Sequence, residues 1–301
     1  MIERKKGTFA RLRLAASWHQ INGPLFRKYV ALFLAVVFVV LLINVVFEVA
    51  FSYQEQKDSL IRIQREQAEA AAAKIGQFIR EIESQVGWTT QLPWSAGTLD
   101  QRRFDGLRLL RQVPAITELA QIDSSGKEQL RVSRLAMDVI GSEIDYSHDP
   151  KFTEAAAHQR YFGSVYFRRE SEPYMTLSLA GTGRDAGVSV AEVNLKLIWD
   201  AVTQMNVGER GQAYVVDGQG RLIVHRDINL VLGNTEPARV WLTRMTQFAQ
   251  VRAARTDGAG ASGEAKDIHG RDVLTAYAQV VPLGWLVFAE IPVEDADSLA
   301  R

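Results

Sequence analysis

Residues 29–47 form a continuous apolar run from Tyr29 to Phe47, interrupted only by Asn44 and carrying no charge. At a helical rise of about 1.5 Å per residue the run covers roughly 30 Å, the thickness of a bilayer's hydrocarbon core. A buried helix at the surface of a soluble protein would keep a polar stripe, and none is present. The run predicts a membrane helix over 29–51 that splits the chain into a short head, 1–28, and a long body. The head holds seven Lys/Arg against one acid, Glu3. Basic flanks stay in the cytoplasm, so the head is expected inside and the body outside the membrane. A cleaved signal peptide is the competing reading. The length of the run, and the Glu-Val-Ala-Phe-Ser-Tyr that follows it in place of a small-x-small site, favour an uncleaved anchor.

The body contains no cysteine, so its stability must come from an ordinary hydrophobic core and not from disulfides. Its length is enough for two cores of about 100 residues each. Residues 52–90 read as one stalk helix, rich in Ala, Gln, Glu and Arg, with Ile75, Phe78, Ile79, Ile82 and Val86 on one apolar face. Gly87 and Pro93 are expected to bound it. A stalk of this kind packs on its own domain and forms a homodimer seam; Asn44, deep in the apolar run, is the polar group best placed to hold two copies together.

The remainder carries a weak internal duplication. Asp123-Ser-Ser-Gly126-Lys127 and Asp217-Gly-Gln-Gly220-Arg221 each read as a turn between two strands, with Asp capping and Gly supplying positive φ. Ala191-Glu192 and Ala289-Glu290 follow in the same order at nearly the same offset. Each copy predicts a hairpin, a helical stretch (149–157, then 237–254) and three strands (161–168, 173–181, 187–194, then 263–268, 271–281, 284–291), with a connecting helix at 195–206. Strands in hairpin order with few intervening helices predict an α+β class with antiparallel sheets. The tract 256–263 is the clearest flexible segment and lies inside copy two.

Along a strand, Tyr166 and Arg168 share one face while Phe167 and Arg169 take the other. With Tyr161 and Glu172 they could line a small-molecule pocket; a solvated turn of surface ion pairs among Arg168, Arg169, Glu170 and Glu172 is the plainer alternative, and Glu192, in an apolar strand, is either a ligand group or the structural partner of an arginine. Tyr146 and Tyr174 complete the candidate set. His225-Arg-Asp227 imitates part of a kinase catalytic loop but lacks every accompanying motif, and is read as a turn organiser. The five histidines show no metal-ligand spacing, and no phosphate loop or nucleophile elbow occurs, so no cofactor, metal, nucleic acid or enzymatic activity is expected.

The anchor, the stalk and the two hairpin-led units together resemble the double Cache (PAS-like) sensory domains of bacterial receptors. Gly87-Trp-Thr-Thr-Gln-Leu-Pro-Trp94, Arg168-Arg-Glu-Ser-Glu-Pro-Tyr-Met175, Ala191-Glu-Val-Asn-Leu-Lys196 and Gly211-Gln-Ala-Tyr-Val-Val-Asp217 are similar to those attached to nucleotide cyclases and histidine kinases. The resemblance implies a membrane-distal lobe (91–202) holding the ligand, a membrane-proximal lobe (203–297), and signal transmission to an output domain outside this chain. The family's amino-acid sensors carry Arg-x-Trp-Tyr where this chain reads Asp149-Pro-Lys-Phe152, and an Asp where it has Arg168. Only Glu192 approximates the third element. Arg168 in place of an acid turns that subsite toward a small organic anion, because guanidinium binds carboxylate or phosphate in a fork. The rival readings are an anchored protein-interaction module without a small-molecule ligand and, more remotely, an anchored enzyme.

Overall fold

The computed structural model describes residues 24–90, 97–168, 172–183, 185–208, 210–232, 248–256 and 263–298. It divides into two compact units, 1–56 and 57–301. Most of the head, Pro93, Trp94, Arg169, Glu170, most of the predicted 237–254 helix and residues 257–262 lie outside the described residues.

Helix α1 runs Pro24–Thr90. Within the first unit its segment Lys28–Glu48 is long and apolar enough to cross a membrane, and none of it is buried. Asn44 satisfies its amide locally, donating through Nδ2 to the Val40 carbonyl at 3.1 Å.

In the second unit the rest of α1 is the spine of the core. Ala68, Ala71, Ala72, Ile75, Ile79, Ile82 and Val86 recur at three- and four-residue steps and are all buried. They pack against Leu119, Leu177 and Val193 of one sheet and Val215, Val280 and Val287 of another, so a single apolar cluster spans both. Full burial of each isoleucine contributes about 1.5–3 kcal/mol. Gly76 stands where the helix meets the turn of the second sheet's longest hairpin: a Cβ there would lie 2.7 Å from the Val281 carbonyl oxygen. The helix continues through Gly87 to Thr90, and Thr89 and Thr90 each donate through Oγ1 to the Val86 carbonyl, at 2.7 and 3.0 Å.

The first sheet contains β1 (Ile116–Ile122), β2 (Glu128–Ser133), β3 (Val139–Ile140), β4 (Arg160–Phe162), β5 (Tyr166–Arg168), β6 (Glu172–Ala180) and β7 (Val188–Asn194). Its order is β3-β2-β1-β7-β6-β4, with β5 also paired to β6. The second contains β8 (Gln212–Val216), β9 (Leu222–His225), β10 (Gly263–Lys266), β11 (Asp272–Val280) and β12 (Trp285–Pro292) in the order β10-β11-β12-β8-β9. Every named pairing is antiparallel. The mixed α+β class with two antiparallel sheets is as expected. The single strand expected over 161–168 is instead two, broken at Gly163-Ser164-Val165.

Helix α2 (Leu99–Gln112) was not foreseen. Thr98 caps it, its Oγ1 accepting from the Gln101 amide at 3.2 Å, with Asp100 in the first turn and Arg111 in the last, matching the helix dipole. α3 (Pro150–His158) begins at Asp149, whose Oδ1 accepts from the Lys151 amide at 2.9 Å, with Pro150 at the first helical position. α4 (Lys196–Thr203) connects the two sheets in sequence; α5 (Ile228–Leu232), α6 (Ala249–Thr256) and α7 (Val293–Ser298) complete the described helices.

The two Asp-x-x-Gly turns form as expected, and a third, Asp267-Ile-His-Gly270-Arg271, repeats them between β10 and β11. In each, Asp Oδ1 accepts the amides two and four residues on, at 2.8–3.0 Å. Each Gly sits at positive φ, 87° at Gly126, 82° at Gly220 and 80° at Gly270. Arg221 and Arg271 close the other oxygen of their own Asp at 2.6 and 2.8 Å; Gln129 does so for Asp123 at 2.7 Å. Burial resists ionisation of Asp123, but these hydrogen bonds outweigh it and hold the carboxyl below its ordinary range.

Candidate functional site

Antiparallel partners share a sheet face, so register shows which side chains meet. Glu118 of β1, Glu192 of β7 and Thr176 of β6 form one row across the first sheet. Tyr174, two residues before Thr176, shares its face and pairs with Tyr166 of β5. Arg168, two residues beyond Tyr166, lies on that face too, as the alternation of side chains predicts.

These groups converge on Glu192. Its Oε1 accepts from Thr176 Oγ1 at 2.9 Å and its Oε2 from the Tyr166 hydroxyl. Arg168 donates to the Tyr166 oxygen at 3.0 Å and stands 3.9 Å from the Glu192 carboxylate. Its guanidinium lies over the Tyr174 ring at 4.7 Å and the Tyr166 ring at 5.5 Å, a cation–π contact on two faces. Tyr174 is 2 % exposed and donates to Glu172 at 3.1 Å. Burial first, and the hydrogen bond to Glu192 second, push the pKa of the Tyr166 hydroxyl up, so it acts as a donor throughout the physiological range.

Tyr146, the remaining sequence candidate, belongs to a second arm on the other side of the Glu118–Glu192 pair. Its hydroxyl accepts from Arg131 Nη2 at 3.3 Å, and Arg131 stands 3.9 Å from Glu118. Arg131 is anchored by three bonds of 2.7, 2.9 and 3.0 Å to the buried Glu128. Lys151 caps the Tyr146 ring at 3.7 Å. Two Tyr–Arg–Glu arms thus meet at a pair of carboxylates on neighbouring strands. Like charges directly opposite each other are unfavourable, and a cation between them would relieve the repulsion.

Three features here escaped sequence reasoning. Glu118 is paired to Glu192 by a register that no local pattern encodes. Ser178, on the same face, is fully buried and its hydroxyl has no hydrogen-bond partner, which marks a place for a polar group. A cavity of 540 Å³ opens at the far end of this face, lined by Phe152, Ala156, Gln159, Ala180 and Val188 among others.

The other motifs are structural. His225 Nδ1 accepts the Asp227 amide at 2.9 Å and Asp227 Oδ1 the Asn229 amide at 3.0 Å, so this segment is a turn, as expected. Among the described residues no group of three His, Asp or Glu side chains could hold a metal ion.

The sequence matches the Cache domain family over residues 51–300. A search of curated proteins gave no significant match. Among solved structures, the sensory domain of the Campylobacter jejuni chemoreceptor Tlp3 is similar at a TM-score of 0.62 and 12 % identity, over 82 % of this chain and 99 % of that one. The extracellular domain of the putative histidine kinase soHK1S-Z6 aligns at 0.56 and 17 %, over 82 % and 99 % of the two chains. The ligand-binding domain of the Pseudomonas aeruginosa PAO1 amino-acid chemoreceptor PctC, in complex with GABA, aligns at 0.56 and 14 %, over 78 % and 99 %. At these identities the solved structures speak for the fold alone, and the family match carries the assignment: this chain belongs to the double Cache family of sensory domains.

Proposed function

We propose that this chain is a membrane-anchored extracytoplasmic sensor that binds a small molecule on the first sheet at the Glu118–Glu192 pair. The membership in a sensory family supports a ligand-sensing role and not an enzymatic one. The apolar helix Lys28–Glu48 supports the anchor, and the basic flank before it supports a cytoplasmic head. The observation that carries the ligand site is the convergence of Tyr166, Thr176 and Arg168 on a carboxylate set in an apolar strand.

The ligand class follows from the charge balance. Arg168 alone suggested an organic anion, but Glu192 stands 3.9 Å from it, and Arg131 and Glu118 form a matching pair at 3.9 Å, so the site offers both charges. A cationic nitrogen between the two carboxylates fits this arrangement, with an acceptor group reaching Arg168 or Arg131. The proposed ligand is therefore a small dipolar amine. Structurally similar domains bound to isoleucine, GABA and L-Arg support this direction, although the carboxylate-binding Arg and Trp of the amino-acid sensors are absent here. Binding at the first sheet would alter how it packs on α1, and a dimer of such helices would carry the change to an output domain by biasing one of two arrangements.

Thermal-shift measurements on the full chain in nanodiscs, with panels of amines, amino acids and nitrogen-free organic acids, test this reading. Protection by nitrogen-bearing compounds, lost in Glu192→Gln, is expected. Protection by the nitrogen-free acids alone would contradict it.

A further inference from the structure

The two sheets share one plan that their registers align residue by residue. The order β2-β1-β7-β6 in the first corresponds to β9-β8-β12-β11 in the second, whereas β10 pairs with β11 where β5, and not β4, pairs with β6. The row Glu118–Glu192–Thr176 then corresponds to Gln212–Glu290–Thr275. In both rows the threonine hydroxyl donates to the glutamate, at 2.9 Å to Glu192 and 3.4 Å to Glu290.

The next row along the same face differs. In the second sheet it is Tyr214, Phe288 and Tyr277. These rings pack together at 5.0 and 5.6 Å between centroids, and the Tyr214 hydroxyl donates to Glu290 at 2.6 Å. In the first sheet the same row is Ala120, Val190 and Ser178. Three small side chains, all buried, stand where three rings fill the second sheet, and the row runs on to the ring of Tyr161 in β4, opposite Ser178; a ring buries about 150–250 Å². The seat is bordered by the unpartnered Ser178 hydroxyl and by the 540 Å³ cavity, which begins one row further on at Val188 and Ala180. Its outer wall is Tyr146, Phe152 and Tyr161, all only partly buried.

We infer that Ala120, Val190 and Ser178 are the specificity-determining floor of the ligand site, and that the ligand carries an apolar body of about ring size whose polar end reaches Glu192 as the Tyr214 hydroxyl reaches Glu290. The inference rests on the reading of Glu192 as a ligand-binding group. The second sheet is the same site closed by its own side chains: Tyr214 occupies the ligand's position.

The test is calorimetric titration of the full chain in nanodiscs with phenethylamine and L-phenylalanine, against their ring-free counterparts ethylamine and L-alanine. At least one ring-bearing probe is expected to bind tenfold or more tightly than its counterpart. Ala120→Tyr, which copies the second sheet, is expected to abolish that binding in a protein that still melts cooperatively; Val190→Phe serves if Ala120→Tyr does not fold. Binding that depends on Glu192 but is untouched by both seat variants overturns this inference and leaves the ligand site standing. Binding indifferent to Glu192→Gln as well overturns both. Equal affinity for ring-bearing and ring-free probes, or no binding by either ring-bearing probe, also overturns the seat assignment.

Discussion

Tyr214→Phe isolates the internal hydrogen bond of the second sheet. Glu290 has no exposed surface and accepts from Tyr214 at 2.6 Å, from Gln250 at 3.2 Å, from Gln212 at 3.3 Å and from Thr275 at 3.4 Å. Burial raises its pKa above the ordinary 4.5, and the donors, Tyr214 first among them, partly offset that rise. A carboxyl with a raised folded pKa costs nothing below its ordinary value, where folded and unfolded chains are both protonated. Its penalty grows as pH rises through the window between the unfolded and folded values. Removing the Tyr214 hydroxyl lifts the folded value further, so the variant loses more stability at pH 7.5 than at pH 4. The structure sets the magnitudes: about 1.5–3 kcal/mol for a bond to a charged group against about 0.5–1.5 kcal/mol for a neutral one. Urea unfolding of residues 57–301, the second compact unit, at the two pH values measures the difference directly. An equal loss at both, or a larger loss at pH 4, would refute the assignment of Glu290 as a buried acid held by Tyr214.

Ile79→Ala, at 1 % exposure on the inner face of α1, should cost about 2–5 kcal/mol in the same unfolding experiment, because both sheets pack on that stripe. Gly76→Leu should destabilise as well, since the added side chain meets the Val281 carbonyl oxygen; a neutral effect by thermal melt would show that the contact yields. Asp267→Ala removes the acceptor of two turn amides and the partner of Arg271, and should lower stability by about 1–3 kcal/mol, whereas Lys196→Ala, at an exposed pair with Asp200, should change it by less than about 0.5 kcal/mol. In ligand titrations Arg168→Ala should weaken binding without unfolding the protein, read as retained far-UV circular dichroism.

Legibility in the sequence followed the range of the interactions. The apolar face of α1 was plain because Ile75, Ile79 and Ile82 repeat at a helical period, and the hairpins were plain because Asp and Gly act within five residues. α2 was not, since its buried positions are Arg102, Gly106, Leu109 and Leu110, and an Arg and a Gly on the inner face hide the period. The Arg168 side chain was placed on the correct face by alternation alone. Its neighbour Glu192 was recognised as an acid in an apolar strand, but Glu118 became visible only through the β1–β7 register. The balance of two guanidiniums, Arg168 and Arg131, against two carboxylates, which moves the proposed ligand from an anion toward a dipolar amine, is a product of that long-range pairing. The closed counterpart around Glu290 likewise emerges only when the two registers are aligned.

The most direct test of the ligand site is a co-crystal structure of residues 57–301 with the most protective compound of the panels. The ligand's nitrogen should lie about 2.7–3.2 Å from a carboxylate oxygen of Glu192 or Glu118, with its body over Ala120, Val190 and Ser178. A ligand seated on the second sheet, or one presenting an anionic group to Glu192, would contradict the account.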